Sequence, residues 1–211
     1  MAVTGRYLFT QPETLLAIIT VVVMYFLSHL DSASMNDVIL RFVHLTSFSL
    51  YVGMSFWMTF VAGLTMFKIL PRNLFSAVQS VLFAKYVAYC VLFSIIALGS
   101  YYMQVKATEG FLSKILGLLI CVGGSLVGCA VFPLLSSKLA ERNQIEKDEN
   151  IGRGIGNDNE PCKKLKETNS TYAAIYTRVV WLHGLSALTN LICLVGMTVH
   201  LATLSYNVTF H

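Results

Sequence analysis

Sulfur and imidazole side chains recur along this sequence at helical spacing. Cys193 and Met197 stand four residues apart, as do Met54 and Met58, so on a helix each pair shares one face, one turn apart. A thiol and a thioether at that separation suit a soft cation such as Cu(I) or Pt(II). Cysteine and methionine are equally ordinary packing residues in apolar interiors, so both uses fit the pattern. Each pair belongs to a longer polar stripe. His44, Ser47, Tyr51, Met54, Met58, Val61, Thr65 and Lys68 follow one another at spacings of three and four, as do His183, Ser186, Asn190, Cys193, Met197 and His200. A face carrying histidine and asparagine is costly against lipid, by several kcal/mol where a polar group finds no partner, and is expected to turn toward protein. Ionisable groups in such places also mark solute paths and proton relays.

The elements that must position these residues are membrane spans. Apolar residues make up 55% of the chain and charged residues only 12%, against about a quarter charged in soluble domains. Residues 42–67 contain no Asp, Glu, Lys or Arg, more than the ~20 apolar residues that cross a bilayer core. This long helix is expected to end at Pro71, with Phe48, Trp57 and Phe60 on its outer sides. Further spans are expected at 81–103, 115–135 and 179–204. Gly124 and Gly128 form a small-xxx-small pair that lets two helices approach closely, and Pro133 would kink or end its helix. The fold class is therefore all-α, a multi-pass bundle of four transmembrane helices plus an additional N-terminal apolar helix.

Two regions divide the chain. Residues 1–37 comprise an apolar run at 15–30 and a short acidic turn; a cleaved signal peptide competes with a retained span, and Asp31 beside the small residues at 32–34 favours retention. Residues 38–211 form the helical domain, interrupted at about 136–177 by a polar stretch with eight Lys or Arg between Lys138 and Arg178. This stretch is expected to be a solvated, partly disordered loop whose beginning could extend the preceding helix. With five spans, most basic residues fall on the loop side, which the positive-inside rule places in the cytoplasm of an endomembrane or plasma membrane. His44 and His183 then lie at opposite ends.

Several functions are disfavoured. The interleaved charges and net charge of +4 give no nucleic-acid surface. Five cysteines without CxxC pairing imply neither a disulfide framework nor a zinc site. No carboxylate lies between residues 38 and 108, so general acid-base catalysis has no candidates there, and neither an enzyme nor a cofactor is expected. The partners to expect are the lipid bilayer and either a second copy of the chain or another helix.

The run VHLTSFSLYVGMSFWMTFVAGLTMFKILPRNLFSAVQSVLF and the later YAAIYTRVVWLHGLSALTNL resemble the eukaryotic transmembrane protein 205 family. Matching positions include His44, Gly53, Trp57, Gly63, Pro71, Arg72, Gln79, His183, Ser186 and Asn190; Ser76 and Ala84-Lys85 depart from the family pattern. The resemblance implies a four-helix membrane domain associated with resistance to platinum drugs, and hence a conduit or sequestration protein for small soft solutes such as metal or metal-thiol species. A non-catalytic endomembrane scaffold or adaptor, binding partners through the loop and the Gly124/Gly128 face, stays open beside it.

Overall fold

In the computed structural model, residues 33–105, 110–156 and 160–207 are described. The expected N-terminal apolar helix and the choice between span and signal peptide fall outside them. Helix α1 (Ala33–Phe56) passes through a π-helical stretch (Trp57–Ala62) into α2 (Gly63–Ile69). It is followed by α3 (Arg72–Val105), α4 (Phe111–Asp148), the short α5 (Glu160–Thr168) and α6 (Ser170–Asn207). Four helical stretches are long and apolar enough to cross a membrane: Asn36–Ile69, Arg72–Val105, Phe111–Asp148 and Ser170–Tyr206. The fold is an all-α multi-pass bundle, with α1 along α3, α3 along α4, and α4 along α6.

Each break in the first span has a local cause. Leu70 is extended, at φ −98° and ψ 142°, as the residue before a proline must be, so the helix stops before Pro71. In the π stretch the Gly63 amide reaches back to the Met58 carbonyl, and a Cβ on Gly63 would sit 2.9 Å from that oxygen. The wider turn inserts a residue into the helical count and rotates the faces beyond it. Thr65 and Lys68, in register with the His44 stripe by spacing alone, are consequently exposed.

The closest helix approach lies between α4 and α6. A Cβ on Gly117 would meet the Gly196 carbonyl at 2.6 Å and the His200 amide at 2.7 Å, and one on Gly196 would meet the Gly117 carbonyl at 2.8 Å. Gly124 lies against the Cys193 thiol, while Gly128 has only the Thr189 methyl, at 4.0 Å. The Gly124/Gly128 face is thus occupied within the chain, and Gly117 and Gly196 hold the tighter crossing.

The stretch 136–177 departs from a solvated loop. Helix α4 runs through Pro133 without ending and carries Arg142 and Glu146 into burial. Residues 150–155 then fold back over the start of α3. The Arg72 and Asn73 amides donate to the Gly154 and Gly152 carbonyls at 2.9 and 3.1 Å, satisfying two of the donors that a helix start leaves open. Asn169 caps α6 by accepting from the Tyr172 amide at 2.9 Å.

Gly117→Ala should therefore destabilise the protein by about 1–3 kcal/mol, because both obstructing atoms are backbone and cannot swing away. Gly128→Ala should be neutral or stabilising. Thermal unfolding of the two variants in one detergent checks this, and equal melting temperatures would refute the crossing.

Candidate functional site

Polar side chains from all four spans meet inside the bundle in three layers. At the layer nearest the start of α1, His44 from α1 and His200 from α6 are fully enclosed, with their Nε2 atoms 3.0 Å apart. His44 Nδ1 lies 2.9 Å from the Ala97 carbonyl, so in a neutral pair Nδ1–H donates there and His44 Nε2 accepts from His200 Nε2–H. Tyr101 and Phe48 pack on these rings, with centroids 4.8–4.9 Å from one or both histidines. Phe48 is thus buried rather than on an outer side.

The middle layer is built on hydroxyls, an amide and thiols. Tyr86 of α3 donates to Asn190 Oδ1 at 2.8 Å, and Asn190 Nδ2 donates to Thr59 Oγ1 at 2.7 Å. This chain ties α3 and α6 to the π-helical stretch. Tyr51 lies 3.1 Å from Ser125 Oγ. Cys121 and Cys193 face each other across α4 and α6, each thiol reaching the other's carbonyl, at 3.7 and 3.9 Å. Cys90 lies 3.9 Å from Ser55 Oγ. A cavity of about 30 Å³ opens here, lined among others by Tyr51, Tyr86, Cys90, Ser125, Asn190 and Cys193. It has room for a water or a bare cation.

The third layer is ionic and closes the end that carries the 136–177 stretch. Glu146 is completely buried, and its Oε1 takes a Tyr172 hydroxyl at 2.7 Å, Arg72 at 3.2 Å and Arg142 Nε at 3.3 Å. Gly152, at φ +82°, covers the other carboxylate oxygen; a Cβ there would come within 2.8 Å of Oε2, so no other residue fits.

Of the residues expected in polar seams, His44, Ser47, Tyr51, Ser186, Cys193, Met197 and His200 are buried, and Asn190 is half-buried. His183 is exposed. One turn before Ser186 the inward direction falls between Leu182 and His183, and Leu182 is the less exposed of the two. Met54 and Met58 are half-buried beside the core, flanking the inward face formed by Phe48, Tyr51 and Ser55, and neither lines the cavity. Gly53, Trp57 and Phe60 face outward, Gln79 is half-buried, and Pro71 bridges to Ile155. Spacing did not single out Tyr86, Cys90, Cys121, Arg142, Glu146 or Tyr172. Glu146 alone offered a sign: it stands four residues after Arg142, the spacing of a helical ion pair.

Residues 46–144 match a family described as Domain of unknown function (DUF4149). Over 175 residues the chain is 28% identical to Transmembrane protein 205 of Danio rerio, spanning 79% of this chain and 92% of that protein. This is an integral multi-pass membrane protein. No solved structure matches it.

Glu146→Ala strands two largely buried guanidinium groups and should cost about 3–5 kcal/mol. Tyr172→Phe removes one hydrogen bond to a charged acceptor and should cost about 1–3 kcal/mol. Unfolding of purified protein ranks the two; a Glu146 variant as stable as wild type would show that the ionic layer is not formed.

Proposed function

We propose that this protein passes small soft solutes, metal ions or metal-thiol species, through the middle layer of its bundle. The observation that carries the reading is that Cys90 and Cys193, from different helices, line one small cavity, with the Cys121 thiol at the same crossing. Thiols select soft cations over the abundant hard ones, and a cation entering would displace thiol protons, so passage is coupled to proton release. Among the described residues no three His, Cys, Asp or Glu side chains are grouped to hold a metal. Coordination by two thiols, with the Met197 thioether one turn beyond Cys193, favours transfer over tight storage. A bare cation fits the cavity as it stands, whereas a metal-thiol species requires the helices to separate. The Danio rerio relative is described by its name only as a transmembrane protein, which agrees with the setting and leaves the cargo to experiment. The scaffold reading is weakened because the Gly124/Gly128 face is already packed against α6.

The test is uptake of Cu(I), supplied as a labile thiol complex, into liposomes containing the purified protein. Wild type should exceed protein-free vesicles. Cys90→Ser and Cys193→Ser should fall toward that background, while Cys129→Ser, on the exposed surface, should match wild type. Uptake no faster than in empty vesicles, or unaffected by both core substitutions, contradicts the proposal.

A further inference from the structure

The ionic layer carries more positive charge than its buried partner can balance. Arg72 and Arg142, with 16% and 9% of their side chains exposed, converge on the single carboxylate of Glu146. Both draw on the same oxygen, Oε1, which Tyr172 also uses. Arg72 Nε is buried without a hydrogen-bond partner. An unbalanced buried guanidinium is expensive unless an anion reaches it. Among the described residues, the acids of the neighbouring segments are engaged or exposed: Glu160 pairs with Lys163, Asp148 accepts from Gln144, and Glu149 is exposed.

Next to Arg72 the structure has a cavity of about 170 Å³, lined by Arg72, Arg153, Asn150, Gly152, Gly154 and Cys162, among others. Arg153 is exposed and held by Asn150, its Nη2 donating to Asn150 Oδ1 at 2.6 Å. Glu146 does not line this cavity, because the Gly152 backbone lies over its carboxylate. Two arginines thus line an open volume from which Glu146, the one buried acid among the described residues, is screened, although Arg72 also reaches Glu146 and lies over the Tyr176 ring, 5.5 Å from its centroid. Guanidinium forks match the paired oxygens of phosphate better than a spherical halide, and glycines at 152 and 154 leave the walls without side chains.

We propose that this cavity binds a phosphate group between Arg72 and Arg153. Its position at the end of the bundle, where α3 begins and α4 leaves its apolar portion, makes it reachable both by a soluble phosphoanion and by the headgroup of an anionic lipid. The site is separate from the thiol-lined layer and does not depend on the solute handled there. Occupancy would balance the ionic layer and fasten the 150–155 segment to the start of α3.

The full-length protein in phosphatidylcholine nanodiscs is titrated calorimetrically with inorganic phosphate at constant ionic strength, with chloride as the reference. In parallel, its unfolding temperature is compared between phosphatidylcholine and phosphatidic acid nanodiscs. Saturable phosphate binding identifies the soluble source, and stabilisation by phosphatidic acid alone identifies the lipid. In either case Arg153→Gln should weaken the effect about ten-fold or more, the worth of one charge-assisted hydrogen bond. Arg153 lies outside the buried cluster, so this variant should fold. Arg72→Lys, which keeps the charge for Glu146 but removes the Nε donor, should weaken it as well. The proposal is overturned if neither phosphate nor phosphatidic acid acts on the wild type, or if Arg153→Gln responds as wild type does.

Discussion

Hydrocarbon offers no hydrogen-bond partner, so polar side chains that point into the bundle gain by finding one another there. The histidine pair, the Tyr86–Asn190–Thr59 chain and the Glu146 cluster are three answers to that single constraint. Each joins residues far apart in sequence: His44 with His200, Thr59 with Asn190, Arg72 with Glu146. Close helix approach at Gly117 and Gly196 brings α4 and α6 near enough for the thiols of Cys121 and Cys193 to meet the opposing backbones. Packing and polar pairing therefore support each other, and the outward faces are left to Trp57, Phe60, Trp181 and the other exposed apolar side chains.

The layers differ in what they can do. The histidine layer is enclosed by aromatic rings and is closely packed. The thiol layer holds a small opening and the side chains suited to soft ligands. The ionic layer fixes an otherwise polar segment, since the chain after Asp148 is held by its own carbonyls on α3 and by Gly152 over Glu146. A segment rich in glycine and charge becomes ordered here because the start of a helix and a buried carboxylate both need it.

Much of this was legible before folding. Hydropathy located the four spans, and spacing of three and four found most of the inward residues of α1 and α6. What escaped has physical reasons. The π turn changes the residue count without any strong sequence mark, so Thr65 and Lys68 left the stripe, while upstream of it Phe48 and Ser55 joined the core because the inward face of α1 is wider than a single three-four stripe. His183 shows the limit of whole-number spacing on a helix of 3.6 residues per turn. Arg142 and Glu146 read as part of a solvated stretch because local composition does not reveal that Arg72 and Tyr172, from two other helices, will meet them. The pairing of His44 with His200 depended likewise on which helix ends come together, which periodicity within one helix does not specify.

The central claim, that the polar faces of the first and last spans satisfy one another inside the bundle, is tested most directly by a double-mutant cycle on that pair. Unfolding free energies of wild type, His44→Ala, His200→Ala and the double variant would be measured in one lipid mixture. The paired geometry predicts a coupling of about 0.6 kcal/mol or more, up to about 1.7, the mean and the maximum found for hydrogen bonds between membrane helices. Strict additivity, within about 0.3 kcal/mol, would mean that the two imidazoles do not meet and that the inward seams are not joined as described.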